Sequence, residues 1–259
     1  MLFDLHNDFP TRFLNADYLR FRSEFAVTAA IWTSEFGCNA QSAVNDITRR
    51  LQDVNHAPIA IEDIGFLSRD EGFRQFDFSR YFYCSLTWNY NNDFAGGALD
   101  DGRLTSLGKS VIREIEAGGC YVDLAHLNKN SFYDVLNVAK NVLCSHTGFN
   151  SHPRSLDDNQ IKRLCERNAV IGLCTVQAFT DAHSAAQFAD VIDRFVQKYG
   201  CDNLALGTDF NGSDDIPDEI NDYYKLDKVR KILYGRGYDD NALNKFFFEN
   251  ANTLYCKEK

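Results

Sequence analysis

Eight short apolar runs punctuate this chain of 259 residues, and helical patterns separate most of them. The runs are Leu2–Asp8, Phe25–Thr33, Pro58–Gly65, Tyr81–Asn89, Cys120–His126, Val142–Thr147, Ala169–Val176 and Leu204–Phe210. Between them, Val44, Ile47, Leu51 and Val54 repeat at helical spacing, and so do Leu107, Val111 and Ile115 ahead of the Gly118-Gly119 break. Phe132, Val135, Leu136 and Ala139 form a third stripe, with Ser131 placed to cap it. Phe188, Val191, Ile192, Phe195 and Tyr199 form a fourth, stopped by Gly200. Strands joined through helices pair in parallel by right-handed crossovers. Eight such units fit an α/β fold of the closed (β/α)8, or TIM-barrel, kind, expected here as a single domain over residues 1–259. A doubly wound open sheet is the main rival, less favoured because eight evenly spaced units close more naturally than they stay open. Pro10 to Arg22 shows no helical stripe, so the first crossover is the weak point of the pattern. The segments Asp218–Leu233 and Asp240–Leu254 are expected to finish the helical wall.

In such a barrel, chemistry gathers at the carboxyl ends of the strands. Six residues obey that rule: His6 and Asp8 end the first run, Glu62 the third, His126 the fifth, His146 the sixth and Asp209 the eighth. Residues two apart in a strand share a face, so His6 and Asp8 project together. Taken singly, each has an ordinary reading as a turn cap, a loop charge or a core histidine satisfied by backbone. Taken jointly, three imidazoles and two carboxylates exceed one tetrahedral shell and suggest two divalent ions. A glutamate can bridge two ions, leaving His6 and Asp8 on one and His126 and His146 on the other. Such a pair clamps a shared water and acidifies it to hydroxide near neutral pH. Asp209 then serves as the carboxylate that takes the proton and delivers it to a leaving group. His56, His152 and His183 fall in loops or helix starts and look structural.

Composition narrows the partners. A net charge of −10 offers no counterion match to nucleic acid or to an anionic membrane, so neither is expected as a partner. The longest clean apolar runs are about half of what a membrane helix needs. With His6 so near the start, a cleavable leader would have to include the candidate ligands, and a cytoplasmic location is expected. Eight cysteines contain no Cys-x-x-Cys pair, and Cys120, Cys144 and Cys174 lie inside apolar runs, so free thiols are expected. A homodimer is among the expected partners, and the Phe246-Phe247-Phe248 run fits either burial against another surface or burial within a barrel-wall helix.

Several motifs resemble the membrane (renal) dipeptidases of the amidohydrolase superfamily, almost end to end. Asp4-Leu5-His6-Asn7-Asp8-Phe9-Pro10 is similar to that family's opening signature, and Ile61-Glu62-Asp63 to its glutamate segment. Leu104-Thr105-Ser106-Leu107-Gly108-Lys109 leads to Val122-Asp123-Leu124-Ala125-His126, the most specific match. Ser145-His146, His152-Pro153-Arg154, Gly207-Thr208-Asp209-Phe210, Gly235-Arg236-Gly237-Tyr238 and Glu249-Asn250 follow in order. The resemblance implies a TIM barrel of the metallo-dependent hydrolase type. It implies two zinc ions, one held by His6, Asp8 and Glu62 and the other by Glu62, His126 and His146. Manganese or cobalt remains open, since N/O ligands do not separate these metals. Asp209 corresponds to the acid/base carboxylate, and Arg154 to the arginine that grips the substrate's terminal carboxylate. The implied activity is zinc-dependent hydrolysis of dipeptides, including those with a D-residue at the second position.

The chain departs from the pattern in four places. Trp88, in Leu86-Thr87-Trp88-Asn89, stands where many relatives carry a substrate-contacting histidine. The His146–Arg154 segment is shorter, the region after Asp8 is trimmed, and Asn211 replaces a common aspartate. These changes motivate two alternatives: the same fold and metals acting on another small amide, N-acyl amino acid or lactone, and a metal-binding protein without catalysis.

Overall fold

The computed structural model describes residues 1–12, 25–52 and 58–256. Its strands are β1 (Phe3–Asn7), β2 (Ala26–Trp32), β3 (Ile59–Glu62), β4 (Tyr83–Ser85), β5 (Tyr121–Asp123), β6 (Val142–Thr147), β7 (Ile171–Leu173) and β8 (Leu204–Leu206). All eight runs of the sequence become strands, and they close in chain order into one parallel barrel. The open sheet is thereby excluded. Every strand is nearly or wholly buried, as parallel strands covered on both faces require.

Most strands are shorter than the apolar runs suggest. β5 stops at Asp123 and β8 at Leu206, so His126 and Asp209 each lie three residues beyond a strand. Both adopt the left-handed region, with φ of 66° and 63°. A strand cannot continue through such a backbone, which is why these two residues stand in turns and not at strand ends.

The chain divides into two compact units. One comprises Met1–Asn7, Phe25–Val27 and Cys144–Lys259. Within it, Asp4 of β1 faces Leu206 of β8, and Leu206 faces Leu173 of β7. The helix Asp158–Glu166 starts with a capping box between Asp157 and Gln160. The helix Ala185–Tyr199 buries Phe188, Val191, Ile192 and Phe195, and ends at Gly200 with φ of 83°. Only a glycine takes that conformation without strain. The expected helix Asp218–Leu233 is confined to Asp227–Gly235. The last wall segment runs Asp240–Asn244, then a π-helical turn at Lys245–Glu249, then Asn250–Cys256. Phe246 and Phe247 are buried in that turn, and Arg230 stacks 4.4 Å over the Phe247 ring. The phenylalanine run is thus accounted for by packing inside its own unit.

The other unit comprises Asp8–Glu24 and Thr28–Leu143. In it, Trp32 of β2 faces Glu62 of β3, and Ser85 of β4 faces Asp123 of β5. The helix Ala40–Gln52 buries Val44, Ile47 and Leu51, while Val54 and His56 lie outside the described residues. Ser106–Ala117 is capped by Thr105 and buries Val111 and Ile115. Each such aliphatic side chain removed from water contributes about 1.5–3 kcal/mol. The helix Lys129–Val138 corrects one expectation: its cap is Asn128, whose side chain accepts from Ser131 N. Ser131 is already inside the helix, and its hydroxyl accepts from Gly96 N at 2.9 Å. Phe9–Arg12 is a single helical turn; the remainder of the first crossover lies outside the described residues.

None of the eight cysteines forms a disulfide. Among the described residues, no helix is long and apolar enough to cross a membrane.

Candidate metal centre

In the first unit the candidate donors begin on β1. Asp4 and His6 alternate onto one face, and Asp4 is fully buried. Its Oδ1 accepts from Thr208 N at 2.8 Å and His6 N at 3.2 Å. Its Oδ2 accepts from Thr208 Oγ1 at 2.6 Å and the Tyr223 hydroxyl at 2.5 Å. Burial pushes the Asp4 carboxyl above the usual carboxylate range, and those four hydrogen bonds pull it back. One directional chain continues outward: Asn211 Nδ2 donates to Asn7 Oδ1, and Asn7 Nδ2 donates to Tyr223 Oη. An aspartate at 211 has no proton to donate there, so asparagine suits this network. Thr208 and Asn211 thus hold both sides of the turn that carries Asp209. Backbone geometry adds to this, since Asp209 N donates to His6 O at 3.2 Å.

His6 and His146 are buried, with ring centroids 3.8 Å apart. Ser145 Oγ lies 2.9 Å from His146 Nδ1 and 3.5 Å from His6 Nδ1. Donor atoms of His6, His146 and half-buried Asp209 all lie within 4.8 Å of one another. Glycine makes the approach possible: a Cβ on Gly172 or Gly207 would sit 1.9 Å from the Ser145 carbonyl oxygen.

Arg154 is buried on the same side. A terminal guanidinium nitrogen lies 2.9 Å from His146 Nε2, and the guanidinium carbon lies 5.5 Å over the Phe179 ring. Guanidinium only donates, so His146 accepts through Nε2 and carries its own proton on Nδ1, toward Ser145. Among the described residues, no carboxylate pairs with this buried cation. His152 is half-buried 4.7 Å from the Phe179 ring and accepts from Arg154 N through Nδ1 at 3.1 Å. Burial, then the neighbouring Arg154, lowers its pKa below the usual histidine value. It is a structural histidine. His183 is exposed and hydrogen-bonds Gln177, also away from the cluster.

The second unit supplies Asp8, Glu62 and His126, all buried. Carboxylate oxygens of Asp8 and Glu62 lie within 4.8 Å of each other. His126 Nε2 is 2.7 Å from Glu62 Oε1, and His126 Nδ1 is 3.0 Å from Asn89 Oδ1. The amide oxygen can only accept, which puts a proton on Nδ1 and turns Nε2 toward Glu62. Trp88 is half-buried beside His126, with ring centroids 6.2 Å apart.

Glu62 owes its place to its neighbour. Asp63 has φ of 68° and accepts from Gly65 N, Ser34 Oγ and Asn92 Nδ2 at 2.9, 2.7 and 3.0 Å. Its own N donates to Ser85 Oγ at 2.9 Å, and burial raises its carboxyl pKa. The β3 strand therefore ends at Glu62 with its side chain committed.

Two carboxylates buried within 4.8 Å of each other repel unless a cation or a proton intervenes. Imidazole and carboxylate together are the donor set of a borderline divalent ion. The first unit brings three such donors together, and in the second Glu62 stands close to both Asp8 and His126, so the residues fit the metal chemistry expected of them. Asp4, Tyr223, Asp63, Asn89 and Ser145 support the donors; Asp4, Asp63, Asn89 and Ser145 stood in the sequence motifs without a role assigned to them, and Tyr223 left no signal there.

A family model described as membrane dipeptidase (peptidase family M19) matches residues 71–254. An uncharacterized protein in the pqqA 5′ region of Klebsiella pneumoniae is 30% identical over 183 residues, covering 63% of this chain and 67% of that protein. The crystal structure of dipeptidase AC, a metallopeptidase of family M19, superposes with a TM-score of 0.84 at 19% identity, covering 98% of this chain and 97% of the other. A metallopeptidase from Rhodobacter sphaeroides, liganded with a phosphinate mimic of the dipeptide L-Ala-D-Ala, gives a TM-score of 0.82 at 18% identity. That likeness covers 100% of this chain and 99% of the other.

Proposed function

The chain belongs to the membrane dipeptidase family, M19, and from that membership we propose that it hydrolyses dipeptides at a centre for two zinc ions. His6, Asp8 and Glu62 would hold one ion, and Glu62, His126 and His146 the other, with Glu62 shared. When bound, such ions supply a polarised peptide carbonyl and a water acidic enough to ionise near neutral pH. The rest falls to side chains. Asp209, held in its turn by the Thr208 and Asn211 hydrogen bonds, takes the proton of the attacking water and passes it to the departing amine. Arg154 receives the terminal carboxylate of the substrate in its planar fork. Arg154 stands at hydrogen-bond distance from His146 Nε2, which places its guanidinium beside the residues that would hold the metal, where a substrate carboxylate would be received.

The observation that carries this reading is the His6–His146–Asp209 cluster in one unit and, in the other, Glu62 with an Asp8 carboxylate oxygen within 4.8 Å and His126 Nε2 at 2.7 Å. Acceptance of a D-residue at the second position is part of the proposal, supported by the L-Ala-D-Ala mimic bound by the Rhodobacter sphaeroides relative. A cytoplasmic location and a single domain over residues 1–259 belong to it as well. The test is a panel of L,L-, L,D- and N-acylated substrates offered to zinc-loaded protein. Turnover of dipeptides supports it. Turnover of other amides with none of dipeptides refutes it.

A further inference from the structure

This chain has two tryptophans, and both stand at the same place. Trp32 is the last residue of β2 and faces Glu62 across the β2–β3 pairing. Residues in register on neighbouring strands share a face of the sheet, so Trp32 and Glu62 lie on the same face of the barrel wall. Trp88 lies against it, with ring centroids 5.1 Å apart and planes tilted by 45°. Trp88 in turn meets His126 at 6.2 Å on one side and Tyr90 at 6.3 Å on another. Tyr90 is 58% exposed, and both indoles are half-buried. The rings therefore form a graded aromatic row from the Glu62–His126 pair out to solvent.

The row carries spare hydrogen-bonding capacity. Trp32 Nε1 is buried and has no partner among the described residues, and the same holds for Thr87 Oγ1, next to Trp88. A buried indole N–H normally finds an acceptor, so these two atoms mark a tightly packed base to the row. The backbone here is otherwise well held: Trp32 N donates to Thr11 Oγ1 at 3.0 Å. A rigid, half-buried apolar surface beside two candidate ligands has the character of a side-chain recognition site.

We propose that Trp32 and Trp88 form the specificity wall of this enzyme and select dipeptides bearing an aromatic or large apolar side chain. The proposal rests on the dipeptidase reading above and adds the substrate class and Trp32. Two half-buried indoles offer stacking area that a histidine does not, and they do not titrate. Seating a phenyl ring there contributes about 1.5–3 kcal/mol over a methyl group, a preference of roughly 10- to 100-fold.

Because both indoles are in the wall, intrinsic tryptophan fluorescence reports only on it. Phenylalanyl-alanine, alanyl-phenylalanine and alanyl-alanine are titrated into metal-depleted protein, which holds them without turnover. The same three are then assayed for kcat/KM with zinc. The expected result is a fluorescence change at concentrations roughly 10-fold lower for a phenyl-bearing dipeptide than for alanyl-alanine. The two phenyl isomers tell which substrate residue meets the wall. Trp88→Ala should remove the preference, and Trp32→Phe, which reduces the stacking surface, should weaken it. Trp88→Leu serves if the alanine variant does not fold, and the wild-type titration needs no variant. Equal responses to all three dipeptides, or a preference that survives in Trp88→Ala, overturn the proposal. A ring-dependent fluorescence change without hydrolysis upholds the wall and refutes the dipeptidase reading; hydrolysis indifferent to the side chain does the reverse.

Discussion

Replacing Tyr223 by phenylalanine removes one oxygen from the network beneath the candidate centre. That hydroxyl donates to Asp4 Oδ2 at 2.5 Å and accepts from Asn7 Nδ2 at 2.7 Å, and the residue is 3% exposed. A hydrogen bond to a charged group contributes about 1.5–3 kcal/mol, and a neutral one about 1 kcal/mol. The phenyl ring keeps its contacts with Phe25 and Phe210, at 5.2 and 5.1 Å, so packing loss is small. Asp4 also keeps its bonds from Thr208 and His6. The expected destabilisation is about 2.5–4 kcal/mol with Asp4 ionised, a fall in Tm of roughly 5–15 °C for a chain of this size. The pH dependence has a definite sign. Burial raises the Asp4 pKa in the fold, so the charged form costs stability above the unfolded pKa, and acidification through the folded pKa relieves that cost. The Tyr223 hydrogen bond lowers that pKa, so in Tyr223→Phe the relief begins at higher pH and the gap between variants narrows on acidification. Urea unfolding across a pH series measures both. Tyr224 is 57% exposed, and Tyr224→Phe is the control, expected within about 0.5 kcal/mol of the parent. A Tyr223→Phe loss no larger than that control, or a gap that widens on acidification, refutes the reasoning.

Other substitutions probe the chemistry. Asp209→Asn should lower kcat by about 10²- to 10⁴-fold, the usual worth of a general acid/base, with metal content measured by emission spectrometry unchanged. Arg154→Ala should raise KM for dipeptides far more than for their C-terminal amides, as steady-state kinetics on both series would show. Thiol labelling at pH 8 should modify exposed Cys38 and Cys256 first and spare Cys84, Cys120, Cys144 and Cys174, as peptide mapping reads out. Burial, then the nearby Asp209, pushes the Cys174 thiol up to about 12, which leaves almost no thiolate at that pH.

Much of the barrel was written in hydrophobic period, because parallel strands covered on both faces read as apolar runs. β6 has the bounds its sequence run suggests, and His6 and His146 sit inside strands as alternation requires. His126 and Asp209 were found by residue type yet misplaced by three residues, since a left-handed backbone at a histidine or an aspartate leaves no mark in hydropathy. Asn128 rather than Ser131 caps its helix because both are good capping residues, and tertiary contact with Gly96 decides between them. The support around the donors was less legible still. Tyr223 reaches Asp4 across 219 positions, and Asn92 reaches Asp63 across 29, pairings that no local pattern encodes. Trp88 stood out only against related sequences, and Trp32 became visible only through its register with Glu62.

Metal content per chain, measured together with activity before chelation, after it and after zinc return, tests the proposed centre most directly. Five ligands with a shared Glu62 predict about two zinc ions per chain, loss of dipeptide hydrolysis on chelation and recovery when zinc returns. One ion per chain, or hydrolysis that persists in metal-free protein, would contradict the two-metal centre.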